Sequence, residues 1–405
     1  MTGGAGDTDG RIRALAELAV FGANVQPGQT VAVNATIGHE EPARAVAAAA
    51  YERGALFVDV LYFDPYLKRA RVEHADPDTL EFVPQWMGDR LETLAERGDA
   101  RISFSGVMHP HALDGLDPGL TARDMLPWLK GIGRIISERS TNWCAIAVPN
   151  RDWAKLVHPD LDGDSAYERL WQELWHILRL DEPDPQAAWA ERVEAIGRSA
   201  AALNALELSS LELSGPGTEL SIGLFLSSRF GGGDFTTRGG IRHFPNLPTE
   251  EVFTSPDPER TEGHVTATMP LVLRDGTIVR GLRVRFEGGR AVEIDADENA
   301  DALRTRTQVD DGAARLGEVA LVDRLGRIGP LGTVFYETLL DENAVSHIAL
   351  GSGFTFAVAD EADKARVNES GIHVDFMIGS PEIEVDGITA AGERIPLMRA
   401  GAWQL

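Results

Sequence analysis

The chain has 405 residues, 43% hydrophobic and 25% charged, an ordinary globular balance with length enough for two cores. A formal net charge of −25 repels phosphate backbones and anionic lipid over long range, which excludes nucleic acid and membrane as expected partners. The single cysteine, Cys144, rules out an internal disulfide framework and a thiolate metal cluster, and a reducing, cytoplasmic setting follows as the expectation.

Residues 1–10 are small and acidic and read as a frayed tail, without the basic start and apolar run of a secretory signal; no apolar stretch reaches membrane-spanning length. Residues 31–34 form a short apolar run, 40–53 are alanine-rich with helical spacing closed by Gly54, and 55–61 read as a buried strand. The order recurs with a helix over 85–97 stopped by Gly98, then strands over 102–105 and 142–148. This alternation predicts an N-terminal α/β domain with a parallel sheet over 1–204. Amphipathic helices over 166–180 and 186–203, split by the acidic, proline-bearing stretch 181–185, lead to a boundary near 205. Beyond it the turn signals at 214–217, 275–276 and 288–289 separate apolar runs as hairpins require, so 205–405 is expected to be an α+β, strand-rich domain.

Several motifs carry no chemistry. Gly131-Ile132-Gly133 lacks the third glycine of a dinucleotide fingerprint, since Ile136 stands there, and Gly231-Gly232-Gly233 is followed by Asp234 where a phosphate loop needs Lys. The triple glycine reads as a mobile loop or as a place of close backbone approach. Cys144 lies in an apparent strand and is expected in the core, and His109-Pro110-His111 reads as a surface turn. His39, His74, His158, His176, His243 and His264 have no ligand-like spacing.

One constellation survives. In the apolar run 372–378, period-two geometry puts His373 and Asp375 on one strand face. A buried Asp needs a cation or donors, so a metal held with the imidazole satisfies it; from this motif alone a His–Asp hydrogen bond does so equally well. Glu318, Glu250 or Glu251, and His347 each set another hard ligand in apolar surroundings, and only one of the adjacent glutamates can face inward on an extended chain. Two glutamates, two histidines and an aspartate without thiolate suit zinc, cobalt or manganese. A carboxylate such as Glu318 can span two such ions.

At these residues the chain resembles the thermophilic aminopeptidase family of metallopeptidases, the aminopeptidase T, aminopeptidase S and PepS group. The resemblance runs from about Leu18 to Trp403 and includes Thr141-Asn142-Trp143-Cys144, the stretches 246–253, 341–344 and 373–379, and Pro396-Leu397-Met398-Arg399. It implies an N-terminal α/β domain, a C-terminal domain with a co-catalytic pair of divalent metal ions, small peptides as substrates, and a homodimer. The ligands it implies are Glu251, Glu318, His347, His373 and Asp375, with Glu318 bridging, and Glu250 or Glu251 assisting proton transfer. Phe354 departs from the pattern, which has a tyrosine seven residues after the first metal histidine. Two alternatives stand beside the metalloaminopeptidase: a non-haem iron dioxygenase of the same fold acting on hydroxylated pyridine rings, since two histidines and a carboxylate also suit ferrous iron, and a binding relative whose catalysis is impaired by Phe354.

Overall fold

The alternation of strand and helix persists in the computed structural model, which describes residues 8–124, 126, 131–273 and 275–405. Thr30–Thr36 (β1), Phe57–Phe63 (β2), Ala100–Ser105 (β3) and Asn142–Ala147 (β4) pair in parallel in the order β2-β1-β3-β4, and Asn246–Leu247 (β5) adds a parallel edge to β4. Thr8–Gly22 (α1) begins inside the stretch expected to fray, because Ile12, Leu15, Ala16, Leu18 and Ala19 bury one stripe; residues 1–7 lie outside the described residues. Glu40–Glu52 (α2) follows β1, and Gln85–Arg97 precedes β3 and ends on Gly98 in the left-handed region at φ +65°. Arg151–Val157 (α3) opens where Asn150 Oδ1 accepts the Trp153 N–H at 2.9 Å. Gly163–Ile177 (α4) and Pro185–Ala205 (α5) are the two amphipathic helices.

Two compact units result, one running to Glu191 and resuming over Asp234–Pro248, the other made of Arg192–Gly233 and Thr249–Leu405. The division falls within α5, and the return of Asp234–Pro248 supplies β5 to the first unit.

The second unit is strand-rich. All three turn signals join paired strands: Leu208–Gly215 with Thr218–Leu224, Leu271–Val272 with Ile278–Val279, and Arg283–Glu287 with Arg290–Asp295. An eight-stranded sheet shares one apolar cluster with a four-stranded sheet made of Glu251–Thr254 (β6), Leu316–Val322 (β7), His347–Gly351 (β8) and His373–Met377 (β9), ordered β6-β7-β8-β9 and antiparallel throughout. Leu211, Leu213, Ile222, Phe286 and Leu397 of the larger sheet meet Val252, Val319, Leu321, Ile348, Leu350 and Phe376 of the smaller one. Each fully buried side chain of this kind contributes about 1.5–3 kcal/mol. That cluster consumes one face of the small sheet and leaves its other face for polar groups.

Candidate metal centre

Register decides what the second face carries. In antiparallel pairs the directly opposed residues share a face, and Glu318 opposes Ala349, which opposes Asp375; Phe253 opposes Ala320, which opposes His347. Counting in twos along each strand, Glu251, Glu318, His347, His373 and Asp375 all lie opposite to the core. Glu318 reaches that face through a bulge. Leu316 pairs with Leu350 in the core and Glu318 with Ala349 on the far side, so Gly317 is the extra residue that reverses the facing. A Cβ on Gly317 would stand 2.3 Å from the Gly351 carbonyl oxygen and 2.4 Å from Ser352 C, so any side chain in the bulge forces the neighbouring backbone to shift.

The side chains converge. Three groups of ligand atoms lie within 4.8 Å of one another: Glu251, Glu318 and His347; Glu318, His373 and Asp375; and Glu342, His347 and Asp375. His347 Nε2 is 3.1 Å from Glu251 Oε2, and His373 Nε2 is 3.1 Å from Glu318 Oε2 and 3.2 Å from Asp375 Oδ1. His373 Nδ1 donates to the Ser352 carbonyl at 2.8 Å, which fixes the ring so that Nε2 faces the carboxylates. Glu318 and His347 are buried, whereas His373 and Asp375 are half-buried; the expected burial of the β9 strand holds for Phe376 and Met377 and relaxes where the ligands face the site.

Charge crowding shapes these groups. Burial pushes the Glu318 carboxyl up; the hydrogen bond from His373 opposes this, and the charges of Glu251 and Asp375 add to it. Glu342 is pushed well above the usual carboxylate range by burial and by Asp375, Glu251, Glu318 and Glu337. Burial works to lower both imidazoles, but at His347 the hydrogen bond and charge of Glu251, with Asp375 and Glu318 behind, raise the pKa to about 9. At His373 the carboxylates of Asp375 and Glu318 raise it well above the ordinary value. Even with Glu342 protonated and both rings charged, the three carboxylates of Glu251, Glu318 and Asp375 against two imidazoles leave negative charge over. A donor set of nitrogen and oxygen with surplus negative charge, and a buried His347 Nδ1 without a hydrogen-bond partner, fits divalent cations of the zinc, cobalt and manganese kind.

Glu250 stands apart from these groups. Its backbone N–H donates to Asn343 Oδ1 at 2.6 Å and its Oε2 pairs with Arg192 Nη2 at 2.5 Å, so it anchors the entry to β6 in the opposite phase to Glu251. Glu342, which sequence reasoning left unassigned, joins the site from the end of the short helix Thr338–Asp341. The segment 341–344 carried part of the resemblance, but a short turn has no periodicity from which facing can be read.

The remaining motifs fall elsewhere. Gly231 exchanges both backbone hydrogen bonds with Phe253, and a Cβ on Gly232 would lie 2.2 Å from the Glu251 carbonyl oxygen, so the triple glycine serves close approach beside β6. Cys144 is fully buried in β4, where burial pushes its thiol up. His109 and His111 occupy a turn, against Asp152 and Asp114 respectively, and enter no three-ligand group among the described residues. Phe354 lies beside the site: its ring is 5.4 Å from that of His373, stacked on Phe356 at 5.2 Å and edge-on to Phe253 at 5.5 Å.

Comparison with known proteins finds relatives over nearly the whole chain. The chain is 41% identical over 402 residues to aminopeptidase T of Thermus thermophilus and 40% identical over 398 residues to aminopeptidase T of Thermus aquaticus, each alignment covering 96% of this chain and 97% of the relative. Aminopeptidase PepS of Streptococcus thermophilus is 34% identical over 397 residues, covering 95% of this chain and 96% of the relative. The solved structure of wild-type AmpT from Thermus thermophilus superposes with a TM-score of 0.89 at 39% identity, over 98% of this chain and 100% of that one. These relatives are named as peptidases and lend no support to the dioxygenase alternative. The family model described as thermophilic metalloprotease (M29) matches residues 8–403, and the chain belongs to that family.

Proposed function

We propose that this metallopeptidase is an aminopeptidase that removes N-terminal residues from small peptides with a co-catalytic pair of divalent ions. The observation that carries the reading is the membership of Glu318 in two overlapping donor groups, one with Glu251 and His347, the other with His373 and Asp375. Glu318 is then the shared carboxylate, with Glu342 a further donor to the side of His347 and Asp375. Zinc, cobalt or manganese would supply Lewis acidity to the scissile carbonyl and to an attacking water.

The chain's own groups do the rest. The Ser352 carbonyl, accepting from His373 Nδ1, holds the imidazole in the tautomer that leaves Nε2 as a donor of electrons to the site. The carboxylates of Glu251, Glu318, Glu342 and Asp375 concentrate negative charge where a peptide's free ammonium group would be attracted. Phe253, Phe354 and Phe356 form an apolar wall on one side. Glu250 acts by position in this reading: with Arg192 and Asn343 it fixes the phase of β6 so that Glu251 faces the ions.

A homodimer and a cytoplasmic home belong to the same reading. In support of the first, β2 is an edge strand whose Phe57 and Tyr62 are 57% and 39% exposed, and sedimentation at micromolar concentration tests it. In support of the second, the lone cysteine is buried, and no helix among the described residues is long and apolar enough to cross a membrane. The test of the activity is release of free amino acids from short peptides by chelated and metal-reconstituted protein; absence of metal-dependent turnover on every aminoacyl substrate tried would sink it.

A further inference from the structure

His373 opens β9 directly opposite Gly351, which closes β8, and the chain turns away from the sheet just beyond Gly351. Two peptide units make that turn, and each is tied at both ends. The Gly351–Ser352 unit donates its N–H to the Ile372 carbonyl at 2.7 Å, and its oxygen, that of Gly351, accepts from Asn368 Nδ2 at 2.6 Å. The Ser352–Gly353 unit donates its N–H to the Asn368 carbonyl at 2.8 Å, and its oxygen, that of Ser352, accepts from His373 Nδ1 at 2.8 Å. In a planar trans peptide the N–H and C=O point in opposite directions, so holding one end aims the other. Asn368 holds one end of each unit, the first with its side chain and the second with its backbone.

The amide is fully committed. Asn368 is buried, and its Nδ2 also donates to the Gly312 carbonyl at 2.8 Å, which uses both hydrogens and fixes which end of the amide is nitrogen. Four glycines bring backbone against backbone around this point. A Cβ on Gly312 would stand 2.1 Å from the Glu369 carbonyl oxygen, on Gly351 2.2 Å from that of Ile372, on Gly317 2.3 Å from that of Gly351, and on Gly353 2.8 Å from that of Gly317. The Asn368 side chain thus joins the segment ahead of β7, through Gly312, to the end of β8, through Gly351. Its own segment is anchored in turn, since the Asp310 carboxylate accepts from Ser370 Oγ at 2.8 Å and from the Gly371 N–H at 2.7 Å.

We propose that Asn368 is a positioning residue for His373, acting through the Ser352 carbonyl. Without the amide, the Gly351 oxygen loses its donor, the turn 351–353 is free to rotate, and the Ser352 oxygen no longer has one direction in which to hold the imidazole. Asn368 supplies no atom to the donor groups, so its effect reaches them through the aim of His373 Nε2. The inference rests on the part of the proposed function that makes His373 a metal ligand, and on neither the number of ions nor the substrate.

The experiment measures zinc affinity of the full-length chelated protein by competition with a chromophoric chelator, for wild type, Asn368→Ala, His373→Ala and the double variant. Asn368→Ala is expected to weaken zinc about tenfold, the low end of the roughly 10–100-fold typical of groups that orient a ligand. In the His373→Ala background the same substitution should change zinc affinity by less than about twofold, because no imidazole is left to aim. Unchanged affinity in Asn368→Ala would overturn the inference. So would an equal loss with and without His373, which is what an amide that only supports the fold would give. Should Asn368→Ala not fold, Asn368→Ser, which keeps a single hydroxyl donor, is expected to weaken zinc severalfold, and the same two results there would overturn the inference. Unchanged zinc affinity in His373→Ala would remove the ligand assignment and this inference with it. A weakened His373→Ala beside an unaffected Asn368→Ala would remove this inference alone. A protein with the expected four affinities that hydrolyses no peptide would remove the proposed function and leave the role of Asn368 standing.

Discussion

Glu318 Oε2 lies 3.1 Å from His373 Nε2 while Glu318 also shares a donor group with Glu251 and His347. A carboxylate common to both groups cannot be lost from one of them alone. Glu318→Gln keeps the volume and removes the charge, and it is expected to reduce bound metal below one equivalent and kcat/KM by at least about 100-fold, since even groups one step removed from an ion are typically worth 10–100-fold. Elemental analysis beside peptide-hydrolysis kinetics checks it; two retained equivalents with wild-type turnover would show that Glu318 is not shared.

The bulge at Gly317 makes a second prediction. Its missing Cβ leaves room for the Gly351 and Ser352 backbone, and the Ser352 carbonyl is the group that orients His373. Gly317→Ala therefore strains the aim of Glu318 and the tautomer support of His373 at once, at a stability cost of about 1–3 kcal/mol typical of overpacking. Denaturant unfolding should register that cost, and activity should fall further than the loss of folded protein explains. Wild-type activity in a folded Gly317→Ala protein would show that the bulge does not aim the site.

Acid–base behaviour of the chelated protein follows from proton counts. Glu318, Glu342, His347 and His373 all have raised pKa values when folded, so the folded state binds more protons than the unfolded one and stability falls as pH rises. For His347 the contribution is complete below its unfolded value near 6.5 and is lost as pH climbs through about 9. Buried Asp341, raised to about 7 by burial against the backbone N–H groups it accepts from, acts in the same direction between its unfolded value and neutrality. His39 and His243 act in the opposite sense, since burial lowers both to about 4 and their stabilisation is lost as pH falls from 6.5. The melting temperature of chelated protein should thus drop from pH 6.5 to 9, and the stabilisation gained on adding zinc should grow over that range because ligation needs deprotonated groups. A chelated protein whose melting temperature climbs steadily over the same interval would contradict this proton count.

How much of this was legible in the sequence depends on periodicity. Strand–helix alternation announced the parallel sheet, and the period-two spacing of His373 and Asp375 put them on one face, because a strand's facing is local information. Glu318 was visible only as a carboxylate in an apolar run: the bulge that reverses its facing depends on how β7 pairs with β8, which no single segment contains. Glu250 and Glu251 were left as a pair, and they separate through Arg192 and Asn343, partners remote in the chain. Glu342 lacked any signal of its own, since it sits at the end of a four-residue helix. The first three residues of α1 were read as tail because small and acidic residues before Ile12 conceal a stripe that only tertiary burial reveals.

Phe354 offers the sharpest test of what this chain has given up. Its ring lies 5.4 Å from His373, and its backbone is tied to Ser255, whose hydroxyl accepts the Phe354 N–H at 2.8 Å, so the ring is held beside the donor groups by more than side-chain packing. The resemblance to the family implies a phenol at this position, and a phenol there would add a hydrogen-bond donor next to the charge that develops on a peptide carbonyl oxygen during attack. Neighbouring hydroxyls are poorly placed to stand in: Thr355 is exposed, and Ser352 Oγ lies 3.5 Å from the Gly353 carbonyl while its own carbonyl holds His373. Removing one such donor from a hydrolase typically costs about 100- to 1,000-fold in kcat. Phe354→Tyr is therefore expected to raise kcat at least about tenfold, with a smaller change in KM because the donor acts on the transition state rather than on ground-state binding. Stacking on Phe356 and the edge contact with Phe253 should tolerate the added oxygen, since both contacts involve the ring and not its para position alone. Steady-state kinetics on short peptides with apolar N-terminal residues decides it, and a Phe354→Tyr protein with unchanged kcat and full metal content would show that the apolar ring is part of this chain's own chemistry and not a lost donor.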